Sequence, residues 1–111
     1  MNLNDLKYES LSFAEELIRM GNTAENTGDM ALKMQVIRTG DTISSLYLNE
    51  EKDYTEVLKT EEKAINEAMY WIYMLYSAHA ISMTVYKSLE RSANNLLDQV
   101  SNMLAPRKKD I

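Results

Sequence analysis

Apolar side chains recur every three or four positions in four separate stretches of the chain, and this spacing constrains the fold more than any other feature. The stretches begin near Leu6, Leu32, Leu58 and Val85. Because an α-helix turns every 3.6 residues, each stretch predicts one amphipathic helix with a buried face. We therefore expect four helices, at about residues 4–20, 30–48, 54–76 and 83–104.

The composition agrees with a helical chain. Three glycines and one proline in 111 residues leave few helix breakers, and Leu, Met, Ala, Glu and Lys are abundant. A chain of this length forms one domain, and four helices with short links favour an antiparallel up-down four-helix bundle over residues 1–105. The sequence contains no cysteine, which excludes disulfides, thiolate metal sites and cysteine nucleophiles.

Several polar residues and breakers predict where the helices begin and end. Gly21 is expected to end the first helix, and a loop rich in turn formers follows it. Asp29, Asp53 and Ser82 are candidate N-caps, because their side-chain oxygens can accept a hydrogen bond from a free amide of the next turn. Pro106 is expected to end the fourth helix.

Gly40 lies inside the second predicted helix, where a glycine costs roughly 1 kcal/mol relative to alanine. The simplest compensation is a close approach of another helix to the backbone at this position. The alternative is a glycine that the helix merely tolerates.

Residues 68–76, in the second half of the third helix, carry no charge and include four aromatic residues. A helix that is apolar all round needs cover on more than one side, and the core of a chain this short covers one. We therefore predict a homo-oligomer, with Tyr70, Trp71, Tyr73 and Met74 as a candidate subunit interface. In the alternative interpretation, the tyrosines rim the core and expose their hydroxyls to water.

Motifs for catalysis are missing from the sequence. It contains no phosphate-binding loop, dinucleotide-binding glycine pattern, nucleophile elbow or zinc motif, and no Glu-x-x-His pair of the kind that di-iron bundles use. His79 is the single histidine, and we expect it to be exposed or to cap a helix in the turn before the fourth helix. The carboxylates are expected to be solvated, including Glu15, Glu16, Glu61, Glu62 and Glu67. The sequence thus predicts a protein that is not an enzyme and has no metal or cofactor.

The net charge of -5, from 12 basic and 17 acidic residues, disfavours general binding to nucleic acid or anionic membranes. A local basic surface could still form in an assembly. Its candidate residues are Lys33, Arg38, Lys87 and Arg91, with Arg107, Lys108 and Lys109 in a flexible basic tail at residues 106–111. Scattered surface charge is the alternative explanation.

Membrane insertion and secretion are not expected. Residues 68–86 are uncharged but contain polar residues in the middle and second half, so a spanning helix is not predicted. No continuous apolar run follows Met1, so we expect a cytoplasmic protein without a secretory signal.

The order of five segments resembles a known family. These are residues 8–14, 35–43, 67–72, 81–82 and 86–89, of which the Q-x-x-R-x-G-x-x-I run at 35–43 and the E-x-x-Y-W step at 67–71 are the most specific. The chain resembles the four-helix-bundle family of 23S rRNA intervening-sequence proteins, which includes the Avd-like accessory proteins of diversity-generating retroelements.

The resemblance implies a bundle that assembles into a cyclic homopentamer and has no enzymatic activity. It also implies a reverse transcriptase as protein partner, with binding of RNA or cDNA through a basic surface of the ring as the alternative function. Gly40 matches a family glycine where helices approach, and Arg38 matches a family arginine.

Overall fold

A computed structural model of the protein describes residues 3–24, 30–48 and 54–109, the last three of them as backbone only. The described residues form four α-helices and no β-strand. They are α1 (Leu3–Thr23), α2 (Met30–Ser45), α3 (Tyr54–Ser77) and α4 (Met83–Lys109). The prediction of an all-α chain with four helices is confirmed.

The helices pack as a closed bundle in chain order. Each helix packs against its neighbours in sequence, and α1 also packs against α4. The pairing of α3 with α4 shows the direction, because Glu62 near the start of α3 meets Ser101 near the end of α4, whereas Tyr76 meets Tyr86. The bundle measures 46 × 23 × 22 Å, as expected for helices that lie side by side.

The core lies along the bundle axis and follows the predicted spacing on every helix. Burial of these side chains, at about 25 cal/mol per Å² of apolar surface, is the main stabilising contribution. The larger side chains of the core that are almost fully buried are Leu6, Leu17, Val36, Ile43, Leu58, Ile65, Ile72, Leu75, Leu89, Leu96, Val100 and Leu104.

Two glycines mark a close contact between α1 and α2. A Cβ atom built on Gly40 would lie 2.9 Å from the backbone oxygen of Ala14 and 2.8 Å from Cγ1 of Ile18. Gly21, which the sequence placed at the end of the first helix, instead lies inside α1, which continues to Thr23. Gly21 is buried, because its missing side chain leaves room for Ile37 of α2. Packing against α2 therefore outweighs the low helix propensity of glycine here.

Two further helix ends differ from the sequence prediction. Helix α2 ends at Ser45, and the amides of Leu46, Tyr47 and Leu48 instead make turn bonds of 3.3 Å to carbonyls three residues back. This tighter turn buries Tyr47.

Helix α4 continues through Pro106 to Lys109, so Pro106 does not end it. A proline loses its own amide bond but leaves the amides of the following residues able to bond. The side chains of Arg107, Lys108 and Lys109 lie outside the described part of the chain. The predicted N-caps of α2 and α3, Asp29 and Asp53, also lie outside it.

The connection between α3 and α4 contains two helix caps. The side chain of Ser82 accepts a hydrogen bond of 3.2 Å from the amide of Val85, which confirms the predicted N-cap. His79 is exposed and adopts a left-handed conformation with φ of 60°. The amide of Ala80 donates to the carbonyl of Leu75 and the amide of His79 to that of Tyr76, which is the Schellman pattern. His79 is thus the exposed capping residue that the sequence predicts.

Replacing His79 by glycine is expected to raise the free energy of unfolding by about 1 kcal/mol, because glycine adopts the left-handed conformation without strain. Chemical denaturation measures the change, with His79→Ala as the control, since alanine keeps the strained backbone. A glycine variant no more stable than the alanine variant would contradict this assignment.

Candidate partner-binding surface

The second half of α3 and the start of α4 carry a cluster of aromatic side chains, which we call the aromatic surface. It consists of Tyr70, Trp71, Tyr73, Tyr76 and Tyr86. It arises because Ala68, Ile72 and Leu75 fill the side of α3 that faces the core, so the aromatic residues between them must point sideways or outward.

The rings of the aromatic surface contact one another in two groups. Tyr76 stacks on Tyr86 with centroids 4.6 Å apart, and Tyr73 meets the same ring edge-on at 6.3 Å. Tyr70 meets Trp71 edge-on at 4.8 Å. These distances suit favourable aromatic pairs, so the rings are held in place before any partner binds.

A polar group beside Tyr86 fixes that ring further. The hydroxyl of Tyr86 donates a hydrogen bond of 2.8 Å to Glu90, which raises the pKa of the phenol. The ammonium group of Lys87 lies 3.6 Å from the same carboxylate and 5.6 Å from the centre of the Tyr86 ring. Lys87 therefore makes an ion pair and a cation–π contact within its own chain.

The four residues predicted as an interface differ in exposure. Tyr70 and Tyr73 keep 55% and 52% of their surface exposed, whereas Trp71 and Met74 are half-buried and pack against the core. The sequence predicted one interface made of all four, but Trp71 and Met74 point toward the core of the bundle, whereas Tyr70 and Tyr73 point toward the solvent. The exposed pair is the part that is open to a partner.

A shallow groove between α2 and α3 leads away from the aromatic surface. Tyr70 and Trp71 form one end of it, and the rest is polar and of mixed charge. The other lining residues are Gln35, Lys59, Glu62, Lys63, Asn66 and Glu67.

The predicted basic residues do not come together on one face of the chain. Lys33 and Arg38 belong to α2, whereas Lys87 and Arg91 belong to α4. These two helices lie diagonally across the bundle, because α1 and α3 separate them. A continuous basic surface would therefore need several subunits.

Glu61 corrects the expectation that the carboxylates are solvated. It is fully buried on the core side of α3, three residues after Leu58 and four before Ile65. The helical spacing already places Glu61 on the apolar face of α3, and that was the feature in the sequence that could have revealed it.

Ser10, Tyr47 and Glu61 form what we call the buried acid cluster. The hydroxyl of Ser10 lies 2.6 Å from Oε2 of Glu61, and the hydroxyl of Tyr47 donates to Oε1. Ser10 is fully buried and Tyr47 is 7% exposed. The cluster thereby joins α1, the turn after α2, and α3.

Burial raises the pKa values of both acidic groups in this cluster. Loss of water raises the pKa of Glu61, although hydrogen bonds from Ser10 and Tyr47 partly oppose the shift. Burial likewise raises the pKa of the Tyr47 phenol, and the neighbouring carboxyl of Glu61 adds to that shift. Both groups are thus biased toward their protonated forms.

Neither a metal site nor a membrane span is found in the described ranges. No cluster of three or more histidine, aspartate or glutamate side chains there could hold a metal ion, and no helix there is both long and apolar enough to cross a membrane.

The described residues thus define the class of the protein, which is an all-α four-helix bundle that carries the aromatic surface at one end. Comparisons with protein-family models, with curated proteins and with solved structures gave no match.

Proposed function

We propose that the protein is a cytoplasmic, non-enzymatic, homo-oligomeric scaffold that binds a second copy of itself through the aromatic surface and presents its remaining surface to a protein client. The observation that carries this proposal is the exposure of Tyr70 and Tyr73 beside half-buried Trp71. Tyrosine and tryptophan are enriched among the residues that dominate protein interfaces.

The arrangement of the rings supports a binding role. Side chains that are already fixed lose less conformational entropy when a partner covers them. Tyr73 and Tyr86 contact each other across α3 and α4, and Tyr70 contacts Trp71, so a partner would meet a largely ordered patch.

The location of the buried acid cluster supports a role without catalysis. This cluster contains the kind of groups that acid–base catalysis uses, an acid and two hydroxyls. Ser10 and Glu61 have no exposed surface, and Tyr47 has very little, so a substrate cannot reach them in the folded chain. General acid–base catalysis requires contact with the reacting group.

The number of subunits and the client in this proposal come from the sequence resemblance, which implies a cyclic pentamer and a reverse transcriptase. Direct binding of RNA or cDNA is the less favoured function, because Lys87 is engaged with Glu90 and Tyr86 and because the two basic pairs lie on diagonal helices. Weak binding of RNA at every salt concentration agrees with the scaffold proposal, whereas tight binding with a steep salt dependence would favour the alternative.

Introduction of negative charge on the aromatic surface tests self-association. The wild-type protein is expected to have five times the 12.8 kDa mass of the chain in multi-angle light scattering. The double variant Tyr70→Glu with Tyr73→Glu should weaken assembly by roughly a hundredfold or more, because each subunit contact in the ring would then bury two carboxylates.

Tyr8→Glu is the matched control for this experiment. Tyr8 is a tyrosine of α1 with 76% of its surface exposed, and it lies outside the aromatic surface. Circular dichroism should show the same helix content in all three proteins. A monomeric wild-type protein, or a double variant that assembles as well as Tyr8→Glu, would contradict the proposal.

A further inference from the structure

The buried acid cluster places an ionisable carboxyl in the core, and no cation of the described residues pairs with it. Glu61 has no exposed surface, and its polar contacts are the hydroxyls of Ser10 and Tyr47. Among the described residues, no ion pair reaches it. A charged carboxylate in such a place loses its hydration and receives no opposite charge in return, which is strongly unfavourable.

The neutral acid can also satisfy the hydrogen bonds of the cluster, although donation from both hydroxyls by itself favours the carboxylate. Tyr47 donates its hydroxyl proton to Oε1, and Oγ of Ser10 lies 2.6 Å from Oε2, a distance at which either of these two oxygens can be the donor. A protonated Glu61 can therefore donate to Ser10 while it accepts from Tyr47, so each of its oxygens has a partner.

Tyr47 belongs to the part of the cluster that is held most weakly. It lies in the turn after α2, whose amides make long bonds of 3.3 Å. Leu46, Tyr47 and Val57 form a small buried cluster of their own, separate from the main core, and the next residue, Leu48, is 80% exposed. Ser10 and Glu61, in contrast, are held by long helices packed on the main core.

We propose that Glu61 is held as the neutral acid and that the buried acid cluster is a proton-dependent latch, which fastens the turn after α2 onto the bundle and releases it when the proton is lost. Release allows water to reach the carboxylate, because the turn can move away while α1 and α3 stay packed. It also uncovers Leu46 and Val57 beside the exposed Leu48, which creates an apolar patch at this end of the bundle.

The groups that face Glu61 come from each element around it. Helix α1 contributes Ser10, and the turn after α2 contributes Tyr47. The charged residues of α1 nearest to Ser10 in the sequence are exposed Glu9 and half-buried Lys7, and Lys7 makes no ion pair with Glu61. Tyr54, at the start of α3, adds to the raised pKa of Tyr47. In α4, where Ser101 bonds to the neighbouring residue Glu62, Val100 and Leu104 are buried and neither titrates.

The direction of the pH dependence follows from the raised pKa of Glu61. Between its ordinary pKa in the unfolded chain and its raised pKa in the folded chain, the folded protein binds one proton more. The stabilising contribution of the latch is complete below the ordinary pKa and is lost as pH rises through the raised one. Over that window, the folding equilibrium constant falls by up to about tenfold per pH unit.

The variant Glu61→Gln tests the latch, because glutamine keeps the shape and can accept from Tyr47 and donate to Ser10 without a proton to lose. Glu62→Gln is the matched control, since Glu62 is the next residue of α3 but is half-buried and bonds to Ser101. Hydrogen exchange, expressed as protection factors, follows the amides of residues 46–48 from pH 4 to pH 9 in all three proteins. Carbon-13 chemical shifts of the glutamate carboxyl groups identify the titration of Glu61 directly.

We expect protection of residues 46–48 to fall with rising pH in the wild-type protein and in Glu62→Gln, in step with the carboxyl shift of Glu61, and to stay constant in Glu61→Gln. The same pH dependence in Glu61→Gln as in the wild-type protein would overturn the proposal. A Glu61 carboxyl that titrates at or below its ordinary pKa would also overturn it, even if the variant fails to fold.

Discussion

Replacement of Glu61 by alanine is expected to lower the free energy of unfolding by roughly 3 kcal/mol. The substitution removes the carboxyl group to which both Ser10 and Tyr47 are bonded, and those buried hydroxyls then keep only their long mutual contact of 3.5 Å. It also leaves a cavity beside Leu58 and Ile65, since the site is fully buried and cannot collapse easily. Urea denaturation at a fixed pH measures the loss.

A double-mutant cycle separates the lost hydrogen bonds from the cavity. Tyr47→Phe alone should cost about 1–2 kcal/mol, but much less when Glu61 is already alanine, because the partner of the hydroxyl is then gone. Glu62→Ala is the control on the same helix. If Glu61→Ala costs no more than Glu62→Ala, the cluster does not stabilise the bundle as its geometry indicates.

The second large effect is expected at Gly40. Alanine is the better helix former by about 1 kcal/mol, yet Gly40→Ala should lower the free energy of unfolding by about 1–3 kcal/mol. The added Cβ would lie 2.9 Å from the backbone oxygen of Ala14, so α1 and α2 must move apart. Separation of the two helices loosens contacts along their whole length.

Asp41→Ala provides the control for that prediction. Asp41 is the next residue of α2 and is exposed, so its replacement tests helix propensity without the close contact. We expect no loss of stability there. A Gly40→Ala protein as stable as the wild type would show that the helices can separate at little cost and that the glycine is merely tolerated.

The two ends of the bundle have different chemical character, and this bears on how the protein would act. The aromatic surface lies where α3 ends and α4 begins, whereas the buried acid cluster lies near the start of α1 and α3. Assembly through the one end therefore leaves the turn that carries Tyr47 accessible at the other. Under the two proposals together, protonation of Glu61 would change the surface offered to a client without disturbing the subunit contact.

The sequence predicts the helices well because their formation depends on local spacing. The starts of α2, α3 and α4 and the cap at Ser82 agree with the predicted positions. Helix ends were predicted less well. Gly21 and Pro106 are breakers by intrinsic preference, but α1 continues past Gly21 because α2 packs there, and α4 continues past Pro106.

The main omission concerned polar residues at core positions. Ser10 lies between Leu6 and Phe13 in the apolar series of α1, and Glu61 lies in that of α3. Their spacing indicated burial, but residue type suggested solvent, since an unpaired glutamate is rarely buried. Glu61 can be buried because the hydroxyl of Ser10, from another helix, and the phenol of Tyr47, 14 residues earlier in the chain, both bond to its carboxyl group.

By itself, the sequence determined four amphipathic helices, their core faces and a cluster of aromatic residues, because these depend on spacing along a single segment. Tertiary structure alone decided that Glu61 is buried, that Gly21 meets the opposite helix, and that Tyr70 and Tyr73 point outward while Trp71 packs inward. The physical reason is that burial and hydrogen bonding depend on which side chains from distant segments come into contact. The spacing of residues within one segment does not specify those contacts.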